Sequence, residues 1–272
     1  MPEIEDKANL TDPRYSRQIS LPEIGQAGQF LLSQKRVLVI GAGGLGSPVL
    51  FALAGAGIGH ITIVDLDTVS ESNLNRQFLY RAADTGLPKA RLAGQRLLEY
   101  HPDLSVETIV ELLDEKNAPG LIRSHDLVIA AVDSRSSRNL INKYCCIFGR
   151  TMIDGGVRGF SGYTAVINPG VTPCYHCLFG IEETPSSDAP GVLGSVAGTI
   201  GSLEATLAVM LLLGLPDPLA GEVLYFHAKS MSFERLKIER DPKCPHCSTL
   251  WQKKSSKPET GSLQDKETEC EE

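Results

Sequence analysis

No membrane-spanning segment is expected in this 272-residue sequence. Its most apolar helix candidate, 205–215, falls well short of the about 20 residues a span requires. Glu204 stands directly before it, so it reads as a buried helix and no membrane partner is expected. Residues 1–10 are polar and acidic, with no basic segment leading into an apolar one, so no secretory signal is expected and the chain reads as cytoplasmic. An excess of positive charge is also missing. The 26 Lys and Arg against 33 Asp and Glu leave a net charge of -7, which argues against nucleic acid as a partner. There is no internal repeat. Seven cysteines are too few for a disulfide scaffold in a chain this long, and four of them form two Cys-x-x-Cys pairs.

What is present is a repeated alternation of short apolar strands and amphipathic helices. Segments 37–40, 60–64, 106–110, 126–132 and 151–154 read as strands, several of them continuously apolar, as parallel strands covered on both faces are. Segments 87–100, with Arg91 and Arg96 on its wet side, and 139–148 read as helices between them. The pattern predicts an α/β fold, a Rossmann-like doubly wound and mostly parallel sheet. In the second half, 162–168 and 222–238 read as antiparallel strands continuing the sheet, with a helix over 201–213 between them. Apolar residues in 231–238 change parity, and a bulge near Glu234 would repair the alternation. Segment 182–194 is expected to be a mobile loop, and 252–272 a disordered charged tail.

The first strand, Val37 to Ile40, runs into Gly41-Ala42-Gly43-Gly44-Leu45-Gly46-Ser47, which matches G-x-G-x-x-G. Glycines allow the tight turn and close approach that let the N–H groups and positive dipole end of the next helix face a phosphate. The second strand ends in Asp65, whose carboxylate suits two ribose hydroxyls. Taken alone this is a weak signal, shared by packing turns and by dinucleotide enzymes. Asp67, Asn73, Arg76, Gln77 and Lys89 follow within a short distance and sharpen it. A carboxylate attacking the α-phosphorus of ATP drives negative charge onto the leaving pyrophosphate, so fixed cations and a metal are needed there.

Cys174-Tyr175-His176-Cys177 and Cys244-Pro245-His246-Cys247 supply four thiolates at paired two-residue spacing. That donor set favours tetrahedral zinc with no open position, hence a structural site. Redox or unliganded thiols are the alternative, and His176 and His246 read as bystanders. Cys145 and Cys146 lie in an apolar helix and read as core packing, while Cys270 sits in the acidic tail.

With these motifs in hand, the chain resembles the ubiquitin-activating-enzyme-like adenylyltransferases of sulfur-carrier activation, the MoeB/ThiF/HesA group. The resemblance covers nearly the whole chain: Arg14-Tyr15-Ser16-Arg17-Gln18, Gly41 to Ser47, the Asp65 to Gln77 stretch, Lys89, Asp133 and both cysteine pairs. It implies an ATP-binding homodimer that adenylates the C-terminal glycine of a small ubiquitin-fold sulfur carrier ending in Gly-Gly, in a molybdopterin, thiamine or related sulfur pathway. It implies one domain over 1–251, with a helical arm (1–34), a nucleotide-binding half (35–160) and a half for carrier and zinc (161–251). Nucleotide contacts then fall to Gly41, Gly43, Gly44, Gly46, Asp65, Asp67, Asn73, Arg76, Gln77, Lys89 and Asp133. Catalytic weight falls to Arg76, Lys89, Asp133 beside Mg2+, and Arg17 reaching the triphosphate of the other subunit, with Arg14 as the competing candidate. Asp133 can equally be read as the cap of the helix that follows it. Relatives that link covalently to their carrier use a cysteine before the Gly-Val-Leu-Gly stretch. Ser187 falls at that position, and a serine without a base is a poor nucleophile, so sulfur delivery is left to a separate donor protein.

Competing readings remain at this level. An NAD-dependent oxidoreductase explains the glycine turn and Asp65, a non-catalytic partner subunit predicts a lost phosphate cluster, and a tRNA-modifying relative would adenylate a small carboxylate.

Overall fold

The structure, a computed structural model, describes residues 12–180 and 191–250. Helices α1 (Ser16–Ile19) and α2 (Gly25–Ser33) lead into β1 (Arg36–Ile40), α3 (Gly46–Ala56) and β2 (His60–Val64). Next come α4 (Lys89–Tyr100), β3 (Ser105–Ile109), α5 (Ala118–Arg123), β4 (Leu127–Ala130), α6 (Arg135–Phe148) and β5 (Thr151–Arg158). The remainder is β6 (Ser161–Ile167), α7 (Tyr175–Phe179), α8 (Gly194–Leu212), β7 (Glu222–His227) and β8 (Ser232–Lys237).

One sheet runs in the order β3-β2-β1-β4-β5-β6-β7-β8. The first five strands pair parallel and the last three antiparallel, as the doubly wound reading with an antiparallel continuation expects. Strand β1 is buried from Val37 to Ile40 and β4 throughout, because helices cover both faces there. Leu38, Ile61 and Leu127 are nearly or fully buried, each contributing about 1.5–3 kcal/mol. One face carries a core shared by α3, α4 and α8, with Leu50, Leu53, Leu97 and Ala208. The other packs α5, α6 and α7 around Ile122, Ile141, Cys145 and Cys146, the two cysteines expected to serve the core.

Strand order reverses between β1 and β4. Loops leaving the carboxyl ends of these neighbours diverge to opposite faces and open a crevice, the usual ligand position of an open α/β sheet.

Three expectations are corrected. Helix α8 spans 19 residues from Gly194, not 201–213, so Gly194 belongs to a helix rather than a loop. Its first turn is held by Leu193, whose N–H bonds the Gly159 carbonyl of the β5–β6 turn at 3.0 Å. By length and composition α8 could cross a membrane, yet half of that stretch is buried inside the protein, against α3, β5 and β6. There is no bulge at Glu234. Strands β7 and β8 pair residue for residue from Glu222↔Lys237 to His227↔Ser232. Among the described residues no layer covers β8, whose six residues are all exposed, so its apolar side chains are free to change parity. Arg96 is not on the wet side; it is half-buried, bridging Asp84 and Glu99. The tail 252–272 and most of the loop expected at 182–194, including Ser187, lie outside the described residues, as does Cys270.

Candidate active site

The glycine turn leaves β1 at the crevice. Gly41 has φ +96°, and a Cβ there would lie 2.3 Å from the Ala131 carbonyl oxygen, so glycine alone lets β1 and β4 exit side by side. A Cβ on Gly46 would lie 2.1 Å from the Gly41 oxygen. Gly43 has room and Gly44 is tighter, with nearest neighbours 3.5 and 3.3 Å from a Cβ, and both approaching atoms belong to the predicted site: Gln77 Nε2 and Arg76 Cγ. Among the described residues the Gly43 and Gly44 N–H groups donate no hydrogen bond, and α3 begins directly after them, so donors and dipole face the crevice.

Asp65, at the end of β2, accepts from the Ala42 N–H at 2.7 Å and the Asp67 N–H at 2.8 Å. Each carboxylate oxygen retains one lone-pair direction for a ribose hydroxyl. Burial pushes the Asp65 carboxyl up, and the two N–H groups pull it back. Lys89, the first residue of α4, is buried and reaches Asp67 Oδ2 at 2.9 Å, while Asp67 itself is largely exposed. The Arg76 stem lies along Gly44, and its guanidinium donates to the Ser72 carbonyl at 3.0 Å and to Asn75 Oδ1 at 2.9 Å. Gln77 is buried with Oε1 unpaired, and the Asn73 side chain makes no hydrogen bond among the described residues. A Cβ on Gly194 would lie 2.3 Å from the Asn75 oxygen, so the first turn of α8 seats the Asn75–Arg76 segment.

Asp133 lies just beyond β4 at the same sheet edge, exposed and with no polar partner among the described residues. It does not cap α6. Ser134 does, its Oγ accepting from the Ser137 N–H at 3.1 Å. One carboxylate with no polar partner among the described residues, completed by phosphate oxygens and water, is a donor set Mg2+ uses, so the residue present fits that ion.

Arg17 is the exception to this convergence. Gln18, next to it, donates to the Ala56 carbonyl at the far end of α3, an 11-residue helix. That puts Arg17 roughly 16 Å along the helix axis from the glycine turn of its own chain. Its exposed guanidinium has no partner among the described residues, whereas Arg14 lies against Asp12 and the Tyr100 ring.

Sequence reasoning missed two features. The Tyr80 hydroxyl donates to the Ala42 carbonyl at 2.7 Å and lies 3.3 Å from the Lys89 carbonyl, tying the glycine turn to α4. Burial pushes its pKa well up, so it stays a donor. Beneath Asp133 lies a buried polar cluster. The Arg138 guanidinium donates through Nε to Asp154 Oδ1 at 2.8 Å, and Asp154 Oδ2 accepts from the Tyr163 hydroxyl at 2.8 Å. Burial works against the Arg138 charge, and Asp154 together with Tyr163, Tyr175 and Glu204 more than offsets it, so its pKa is raised. Glu204 of α8 is fully buried against Gly155, with both carboxylate oxygens unpaired. Burial first, then Asp154, push it well above the usual carboxylate range. Tyr80 belongs to no motif, and the cluster members belong to separate elements, so no spacing marked them.

On the α6–α7 face of the sheet Cys174, Cys177, Cys244 and Cys247 bring their Sγ atoms within 4.8 Å of one another. Measured separations are 3.9 Å for Cys174–Cys177, 3.5 Å for Cys174–Cys244 and 3.6 Å for Cys177–Cys247. A tetrahedron with Zn–S bonds of about 2.3 Å has edges of about 3.8 Å, so the cluster fits zinc. His176 and His246 lie edge to face at 5.4 Å beside it and belong to no such group.

Fold and site define a class: a doubly wound α/β protein with a glycine turn, a carboxylate and basic side chains gathered at one sheet edge. A profile of the ThiF family matches residues 15–246, and the chain belongs to that family. It is 40% identical over 243 residues to the sulfur carrier protein adenylyltransferase of Thermus thermophilus, covering 86% of this chain and 90% of that one. It is 38% identical over 238 residues to the SAMP-activating enzyme E1 of Haloferax volcanii, covering 86% and 88%. The adenylyltransferase and sulfurtransferase MOCS3 of Drosophila grimshawi is 39% identical over 241 residues, of which the chain spans 54%. E. coli MccB, solved with ATP, shares the fold with a TM-score of 0.77 at 24% identity, over 88% of this chain and 76% of that one.

Proposed function

We propose that this chain is an ATP-dependent adenylyltransferase that activates the C-terminal glycine carboxylate of a small ubiquitin-fold sulfur carrier. The observation that carries this is the gathering of Gly43, Gly44, Asp65, Arg76 and Lys89 at one sheet edge beside Asp133. Relatives that are adenylyltransferases by name, matched over most of their length, support it. In the reaction the carrier carboxylate attacks the α-phosphorus, an acyl-adenylate forms and pyrophosphate leaves. The carboxylate is already ionised at neutral pH, so no general base is needed. Asp65 holds the ribose, the free N–H groups of the glycine turn meet a phosphate, and Lys89, Arg76 and Asn73 offset charge growing on the leaving group. Mg2+ bound at Asp133 would supply further neutralisation of the phosphates. An oxidoreductase would leave Arg76 and Lys89 without a task.

Three finer readings belong to the same proposal. Arg17 serves the triphosphate of a second copy, since α3 separates it from its own, and the working unit is a homodimer. Zinc held by the four cysteines is structural, joining the α7 turn to the segment after β8. The reaction stops at the acyl-adenylate and a separate protein donates sulfur. The test is ATP–pyrophosphate exchange with candidate carriers, each compared with a version lacking its terminal glycine. Exchange that depends on that glycine is expected; none with any carrier, or equal exchange with the truncated forms, refutes the reading.

A further inference from the structure

The last paired residues of β4 and β5 are Ala130 and Asp154. Beyond them β4 leaves the sheet, and the backbone that carries Asp133 has no further strand partner. A side chain takes over. Arg138, in the second turn of α6 and only 8% exposed, sends Nη2 to the Val132 carbonyl at 2.5 Å and to the Gly155 carbonyl at 2.7 Å. One guanidinium therefore joins the two strands just past their last rung, and the carbonyl it grips is the one immediately before Asp133. Its Nε bonds Asp154 Oδ1, which sets the plane of the fork. On the other side of Asp133 the Ser134 cap holds the chain to the first turn of α6. Asp133 itself touches no polar group among the described residues, so its carboxylate is placed through its backbone alone.

From this geometry we infer that Arg138 is a positioning residue for the adenylation site: by gripping the Val132 carbonyl it fixes where Asp133 presents its carboxylate to Mg2+. The inference rests on the reading of Asp133 as the magnesium-side residue. Lysine cannot replace arginine here, because one ammonium lacks the planar fork that reaches Asp154 and both carbonyls together. The effect on nucleotide binding is confined to the part that requires the ion, since Arg138 faces neither the glycine turn nor Asp65.

The test measures binding of a non-hydrolysable ATP analogue to the full chain by calorimetry, with Mg2+ and with excess chelator, for the native protein, Arg138→Lys, Asp133→Asn and the double variant. Arg138→Lys is expected to lower the Mg2+-dependent gain in affinity about tenfold, the scale for a residue that orients a metal ligand. Affinity under chelator is expected to stay within about twofold of native, and the double variant to be no worse than Asp133→Asn. A native Mg2+ response in Arg138→Lys, or losses that multiply in the double variant, overturns the inference while Asp133 keeps its role. A native response in Asp133→Asn overturns the Asp133 reading and this inference with it. Should Arg138→Lys fail to melt cooperatively, Arg138→Gln with Asp154→Asn removes the buried charge pair as a unit, and the same outcomes apply to it.

Discussion

Lys89→Met separates catalytic loss from structural loss, because the two have different sizes at this position. The Lys89 side chain is 6% exposed and its partner Asp67 72% exposed, at 2.9 Å. Methionine retains the apolar stem, so packing around the first turn of α4 is kept. Losing the ammonium leaves Asp67 in water and not buried and unpaired, so the cost in stability is at most about 1 kcal/mol. For a domain of this size that is a fall in melting temperature of roughly 2–4 °C. If Lys89 offsets charge on departing pyrophosphate, its loss costs about 2.7–4 kcal/mol in the transition state, hence exchange about a hundredfold slower or more. Both quantities are read on one preparation, by thermal melting and by ATP–pyrophosphate exchange with a carrier the native chain activates. A well-folded Lys89→Met whose exchange stays within about tenfold of native refutes the charge-offset reasoning.

The other predictions address different links. Arg76→Ala is expected to slow exchange about a hundredfold or more, and unchanged exchange removes Arg76 from the mechanism. Gly43→Ala is expected to melt like the native chain but bind ATP more weakly, because its Cβ has space until a phosphate arrives; Gly46→Ala, with its Cβ 2.1 Å from the Gly41 oxygen, is expected to yield little folded protein. Equal melting of the two variants would refute the geometry. Elemental analysis of protein purified without chelator is expected to find about one zinc per chain, lost in Cys244→Ser with a fall in melting temperature. Glu204→Gln tests the buried carboxyl. Its folded pKa is raised above the unfolded 4.5, so its protonated form stabilises fully below that value and the stability is lost as pH rises toward the folded value. The melting temperature of Glu204→Gln is therefore expected to exceed native by a margin that widens from pH 5 to 8; a constant margin refutes a raised pKa.

Much of the site was legible because its parts are local. The turn from Gly41 to Ser47 declares itself by glycine at positions where a Cβ would strike Ala131 or Gly41, and Asp65 by its place at the end of an apolar strand. Lys89 and Arg76 were legible as charges with no other use in a nucleotide-binding half. Boundaries were less so. Helix α8 begins at Gly194 because the β5–β6 turn holds Leu193, a contact between distant segments. Asp133 looked able to cap α6, and only the folded chain shows that the Ser134 hydroxyl does so, accepting from the Ser137 N–H.

By itself the sequence determined whatever is decided within a turn or a strand: the alternation that makes a doubly wound sheet, the glycine turn and the paired thiols. Such features depend on backbone sterics and on side chains a few residues apart, so spacing encodes them. Tertiary structure alone decided what depends on crossovers. It brought Cys177 and Cys247 to 3.6 Å across 70 residues and gathered buried Arg138, Asp154 and Glu204 with half-buried Tyr163. It also set Arg17 at the far end of α3 from the glycine turn. Those distances follow from strand order and helix packing, which no local pattern in the chain records.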